Sequence, residues 1–285
     1  MQISDYNWKA KDGVYLFARS WSPEKSGKST IIILHGMGEH SGRYHEWAEK
    51  FVDAGFNVMA MDSRGYGKSG GKRGVSKSYD KYINDIDLII DKTRALFETN
   101  HIYLYGHGMG GNLAINYQLK RRPSLSGIIL SAPWLRVSKY YRKARPLVNN
   151  FSKVLPRSLP VNGIKPKELT QDANEIKSHN EDPLNHYRIS LKLFLEFSEF
   201  GLFALRNKHK VNLPVLILHG RKDTITSYRA SQEMGRNSSN ISVKIFKNCY
   251  HALHHELDRS LVFDSILKWF NIPYTQKSED ISVNH

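Results

Sequence analysis

Residues Ile102-Tyr-Leu-Tyr-Gly106-His107-Gly108-Met109-Gly110-Gly111 read as a strand, a tight glycine turn and the start of a helix. Two kinds of chemistry use such a turn. A Gly-x-Gly-x-x-Gly reading, on Gly106, Gly108 and Gly111, would seat a dinucleotide pyrophosphate on the helix N-terminus. It needs an acidic residue about 20 positions on for the ribose hydroxyl. No Asp or Glu follows the turn before Glu168, and the turn opens a late strand–helix unit, so this reading is disfavoured. The other pattern is Gly-x-Ser-x-Gly, the elbow that presents a nucleophilic serine, with Gly108 standing where the serine would be. Strand and helix crowd an elbow, so the positions two before and two after the nucleophile must be small; Gly106 and Gly110 meet that demand.

The surrounding pattern is what an elbow needs. Strand signals at 14–21, 30–34, 56–61, 102–105 and 127–130 alternate with helical periodicity at 44–54, 79–97 and 109–119. After Pro133 the alternation breaks down, with prolines, bases and short helical patterns up to about Lys210. It resumes with strands at 215–218 and 243–246 and a helix at 255–270. This predicts an α/β chain with a mostly parallel sheet covered on both faces and an insertion after the sixth strand. The expected organisation is a core of residues 1–132 and 211–274, an inserted cap of 133–210, and a frayed tail of 275–285.

Composition narrows the classes of function. Cys249 is the only cysteine, so neither a disulfide framework nor a cysteine zinc site is available; a buried, inert thiol is expected. No apolar run approaches the ~20 residues of a membrane span, and the first residues carry no apolar stretch, which predicts a cytoplasmic protein. The formal charge of +15 raises nucleic acid, anionic membrane and anionic substrate as partners. It is concentrated: residues 99–167 hold 12 Lys and Arg and no Asp or Glu. No nucleic-acid recognition motif accompanies it, so nucleic acid is disfavoured.

Five motifs carry a family resemblance: His35-Gly-Met-Gly-Glu-His-Ser-Gly-Arg-Tyr44, Asp62-Ser-Arg-Gly-Tyr-Gly-Lys-Ser69, the Gly106–Gly111 turn, Leu218-His-Gly-Arg-Lys-Asp223 and Tyr250-His-Ala-Leu-His-His-Glu-Leu257. In order and spacing, over residues 5–272, the chain resembles the monoacylglycerol lipase and lysophospholipase branch of the α/β-hydrolases, of serine aminopeptidase S33 type. The resemblance implies an eight-stranded α/β-hydrolase fold with a helical cap. It implies a catalytic set of residue 108, Asp223 and His251, with Met37 and Met109 supplying the backbone N–H groups of an oxyanion hole. Glu39, Arg43 and His254 match positions that hold a glycerol head group, although Glu39 and Arg43 would also suit a surface ion pair. The histidines at 251, 254 and 255 raise a metal cluster, disfavoured because the sequence shows no organised carboxylate beside them. No cofactor is implied.

Physics fits these roles. A serine hydroxyl attacks an ester only when an imidazole takes its proton and a carboxylate fixes the imidazole tautomer. Glycine offers no hydroxyl, and losing the nucleophile of such a set costs on the order of 10⁶ in kcat. The expectation is a carboxylic ester hydrolase of monoacylglycerol lipase or lysophospholipase type, nearly inactive as written. Three accounts fit Gly108: a substitution in an active enzyme, a natural pseudoenzyme that binds lipid or acyl ligands, and slow attack by a water that His251 activates. The intact remainder of the set favours the first. Another small ester, thioester or amide is an alternative substrate. The expected partner is a small lipid ester. Within the cap, Leu147, Phe151 and Leu155 share a helical face flanked by Arg145, Lys153 and Arg157, which suits either core packing or peripheral contact with anionic membrane.

Overall fold

The computed structural model describes residues 1–24, 27, 29–138 and 164–271. The cap face of Leu147, Phe151 and Leu155 and the tail of 275–285 lie outside the described residues.

Eight strands form one sheet: β1 (Gln2–Lys9), β2 (Tyr15–Ser22), β3 (Thr30–Leu34), β4 (Asn57–Met61), β5 (Ile102–His107), β6 (Gly127–Ser131), β7 (Val215–Gly220) and β8 (Ile241–Phe246). Their order is β1-β2-β4-β3-β5-β6-β7-β8. The first two pairings, β1 with β2 and β2 with β4, are antiparallel; all the others are parallel. Strands β3, β4, β6 and β7 are buried at every position, as strands covered on both faces must be.

Alternation sorts their side chains into two cores. Ile32, Leu34, Met59, Leu104 and Ile217 face one side, while Ile31, Ile33, Val58, Tyr105 and Leu218 face the other. Helices α2 (Tyr79–Phe97) and α3 (Met109–Arg121) cover the first side with Ile83, Ile86, Ile90 and Leu113. Helices α1 (His45–Asp53) and α7 (Arg259–Trp269) cover the second with Trp47, Phe51, Phe263 and Ile266. Among the described residues, the connection between β6 and β7 carries α4 (Ala173–Glu181) and α5 (Leu191–Arg206), and α6 (Tyr228–Gly235) precedes β8. No helix among the described residues is long and apolar enough to cross a membrane.

Three elements depart from the sequence reading. Strand β1 gave no strand signal because it is an exposed edge strand of mixed polar residues, held by its ladder to β2 and by Tyr6 and Trp8. Helix α5 lies in the segment where alternation breaks down, yet it buries Leu193 and Phe197 in the same core as α2 and α3. The expected helix at 255–270 begins at Arg259, with a single 3-10 turn, Leu253–His255, before it.

The basic stretch is partly neutralised from far away in sequence. Lys120 pairs with Asp80 at 2.5 Å, Arg121 with Asp87 at 3.1 Å and Arg136 with Glu233 at 3.0 Å.

Candidate active site

The carboxyl ends of β3, β5, β6 and β7 lie side by side, and the loops leaving them build the site. Gly108 occupies the single step between β5 and α3, at φ +50° and ψ −108°. Three backbone bonds pin it: Gly108 N donates to Ser131 O at 3.0 Å, Trp134 N donates to Gly108 O at 2.9 Å, and Asn112 N donates to Gly108 O at 3.1 Å. The flanking glycines are steric necessities. A Cβ on Gly110 would collide with the Leu34 carbonyl, and one on Gly106 with the Gly110 carbonyl. A Cβ on Gly108 itself would lie 3.2 Å from His251 Nε2, with Gly36 Cα next beyond the ring at 3.9 Å. Whatever stands at 108 therefore points at that imidazole.

His251 is oriented from behind. Its Nδ1–H donates to Asp223 Oδ2 at 2.7 Å. The same oxygen receives His219 Nε2–H at 3.0 Å and the Thr226 hydroxyl at 2.7 Å. Asp223 Oδ1 receives the backbone N–H groups of Ile225 at 2.7 Å and Thr226 at 3.0 Å. Burial alone would raise the Asp223 carboxyl, but the His251 and His219 imidazoles hold it well below the usual carboxylate range. It is a buried anion with every lone-pair direction engaged. The tautomer follows: with Nδ1–H committed to Asp223, His251 Nε2 is left as an acceptor facing residue 108.

Met109 is the first residue of α3, and Met37 lies in the loop after β3. Their N–H groups have no acceptor among the described residues. The Met37 loop is braced: Gly36 N donates to Glu39 Oε1 at 2.6 Å, Ser63 N donates to His35 Nε2 at 2.8 Å, and His35 Nδ1–H donates to Gly36 O at 2.7 Å. Two donors of this kind beside a nucleophile position suit an anion developing on a carbonyl oxygen.

Glu39 is buried, and it also accepts the Tyr44 hydroxyl at 2.5 Å. Burial would raise it, but His254, His107 and Tyr44 outweigh burial and hold it well below the usual carboxylate range. His254 stacks on Tyr44 at 4.5 Å, and neither of its ring nitrogens has a hydrogen-bond partner. Burial and the neighbouring His255 lower His254 to about 4 against the pull of Glu39. The alternative of a Glu39–Arg43 surface ion pair is not realised. Arg43 turns instead to α4, donating to Glu175 at 2.8 Å and to Ser178 at 2.7 Å. His255 Nδ1 meets Glu175 at 3.0 Å.

The sequence reading found no organised carboxylate beside the histidine run, and the fold corrects this by placing Glu39 Oε2 3.9 Å from His254 Nε2. Among the described residues Glu39, His254 and His255 form the group that could hold a metal, with donor atoms within 4.8 Å of one another. A tetrahedral zinc with bonds near 2.0–2.2 Å brings its donors to about 3.3 Å apart, so this spread is too wide as it stands. The sequence did not single out His219, Thr226 or Glu175. His219 sat unread inside the Leu218–Asp223 motif, and Glu175 could be found only from the fold, because Arg43 is 132 residues away. Cys249 is a buried free thiol, which burial pushes up to about 12.

One cavity joins these groups. Met37, Gly108, Met109 and His251 line it, Trp134, Val137, Leu169, Phe194 and Ile225 give it apolar walls, and Glu39, Arg43 and His179 supply polar lining. It can receive a molecule with an apolar tail, a reactive carbonyl and a hydrogen-bonding head.

The family model described as serine aminopeptidase, S33, matches residues 25–258. The chain is 31% identical over 273 residues to human monoglyceride lipase, covering 90% of this chain and 87% of that protein. It is 32% identical to an uncharacterized abhydrolase domain-containing protein of Dictyostelium discoideum, over 94% of this chain but only 29% of that protein's length. Among solved structures it is similar to the monoacylglycerol lipase of Paleococcus ferrophilus, with a TM-score of 0.76 and 30% identity, covering 94% of this chain and 98% of that one.

Proposed function

The chain belongs to the serine aminopeptidase S33 family of α/β-hydrolases, and on that premise we propose that its cavity takes monoacylglycerol-class lipid esters while Gly108 closes the acyl-enzyme route. The observation that carries the reading is the 3.2 Å between a Cβ at 108 and His251 Nε2. A serine there would carry its hydroxyl one bond further, within reach of that nitrogen, while Asp223 holds the ring from the other side.

In the serine form the steps would run as follows. His251 Nε2 takes the hydroxyl proton as Oγ attacks the ester carbonyl. The Met37 and Met109 N–H groups receive the oxyanion. The alcohol leaves with the proton from His251, and water repeats the sequence on the acyl-enzyme. In the glycine form binding persists and that route does not. The acyl chain lies along Trp134, Phe194 and Ile225. The glycerol end meets Glu39 and Arg43, which line the cavity, whereas His254, buried and stacked on Tyr44, is not one of its lining residues. The excess of base in residues 99–167 favours an anionic lipid surface as the place where such substrates are met.

Gly108→Ser tests the reading. The variant should hydrolyse monoacylglycerols and short p-nitrophenyl esters and be labelled by a fluorophosphonate, whereas the chain as it stands should not be labelled. A serine variant that does neither, while still folded, overturns it.

A further inference from the structure

We propose that the chain with Gly108 is itself a slow esterase that works by single displacement, a water molecule at the elbow attacking the ester with His251 as its base. The inference rests on the reading of the cavity given above and extends it to the glycine form.

Space is the first argument. Within 4 Å, a Cβ on Gly108 would meet His251 Nε2 at 3.2 Å, His251 Cε1 at 3.7 Å and Gly36 Cα at 3.9 Å. Chain neighbours aside, the nearest atoms ahead of the elbow are thus an imidazole edge and a glycine methylene, none closer than 3.2 Å. A serine side chain places two heavy atoms there; a water needs room for one.

Direction is the second. Through its bond to Asp223, His251 keeps Nδ1–H and presents Nε2 as an acceptor. A water at hydrogen-bond distance from Nε2 therefore donates one O–H to it and turns a lone pair toward the cavity. Met37 and Met109, whose N–H groups have no acceptor among the described residues, line the same cavity. Rigidity is the third. The elbow geometry depends on Gly108 N to Ser131 O, Trp134 N to Gly108 O and Asn112 N to Gly108 O. None of these bonds involves a side chain at 108, and glycine adopts φ +50° without strain.

The step balances. The water oxygen forms a bond to the carbonyl carbon as His251 Nε2 takes its proton. The carbonyl π pair moves onto oxygen, facing the Met37 and Met109 N–H groups. When the C=O re-forms, the bond to the alcohol oxygen breaks and that oxygen takes the proton from His251. Ester and water become acid and alcohol, and no covalent intermediate forms. A free water lacks the effective molarity of a tethered hydroxyl, so this route should run about 10³–10⁶ slower than that of the serine form.

The test compares four forms of the full chain: as it stands, His251→Ala, Gly108→Ala and Gly108→Ser. Hydrolysis of a short p-nitrophenyl ester and of a monoacylglycerol is followed with and without prior fluorophosphonate treatment, and folding is checked by circular dichroism. The glycine form should hydrolyse without a burst, ignore the fluorophosphonate, and lose at least tenfold in His251→Ala. Gly108→Ala keeps the base but puts a methyl group in the water's place, and should also lose at least tenfold. If either alanine variant is folded and matches the parent rate, the single-displacement route is wrong, even where Gly108→Ser is active and the reading of the cavity stands. If Gly108→Ser is inert to both substrates and probe, the reading itself fails.

Discussion

His251 and Asp223, 28 residues apart in sequence, meet through a 2.7 Å bond from the imidazole Nδ1 to a carboxylate oxygen with no solvent exposure. That oxygen is shared with His219 and Thr226, so Asp223 is fixed before it fixes His251. In the Gly108→Ser background, Asp223→Asn should reduce kcat by about 10⁴ with little change in KM, because the amide supports the wrong tautomer. Steady-state kinetics reads this directly. A loss below tenfold would mean that His251 is oriented by other groups.

Placing serine at 108 should carry a thermodynamic cost. Position 108 has φ +50°, a region that side-chain-bearing residues occupy at about 1–3 kcal/mol. For a chain of this size that corresponds to a fall in Tm of about 2–5 °C. Calorimetry of the two forms should show the active one melting first.

Acid should loosen the contact between α4 and the core. Burial would raise Glu175, but His255 and Arg43 outweigh burial and hold it at about 2. A depressed carboxyl contributes stability above its unfolded value, near 4.5, and loses it as pH falls toward 2. Glu175→Gln should remove that part of the acid dependence between pH 4.5 and 2. Acid titration of tryptophan fluorescence is a suitable readout, since Trp134 lines the cavity. An unchanged titration would sever α4 from this pair.

Arg64 links three elements by donating to buried Asp85 on α2 at 2.6 Å and to Asp12 at 2.9 Å. Arg64→Ala leaves Asp85 as an unpaired buried carboxylate, and about 3–5 kcal/mol of stability should be lost. Urea unfolding measures the loss, and adding Asp85→Ala should recover part of it. No recovery would mean that packing by the Arg64 stem, rather than charge, dominates.

What the sequence revealed follows from what each element depends on. Strands β3 and β7 are short apolar runs buried on both faces, so composition alone marks them. Strand β1 depends on its partner β2, and its own residues alternate too weakly to announce it. Asp223 and His251 could be named because a motif order carries them, but the groups that complete their environment could not. His219 and Thr226 reach Asp223 through loop geometry, and Glu175 reaches Arg43 through the packing of α4. The same limit applies to charge. Lys120, Arg121 and Arg136 looked uncompensated along the chain and are paired in the fold.

Gly108 is held by backbone atoms alone, and its neighbours already sit where a hydroxyl would require them. A glycine codon GGU or GGC becomes a serine codon when its first letter changes to A. Where position 108 is encoded by one of these, the glycine and serine forms of the elbow lie one base apart. Selection could cross that gap in either direction without first rebuilding anything else in the molecule.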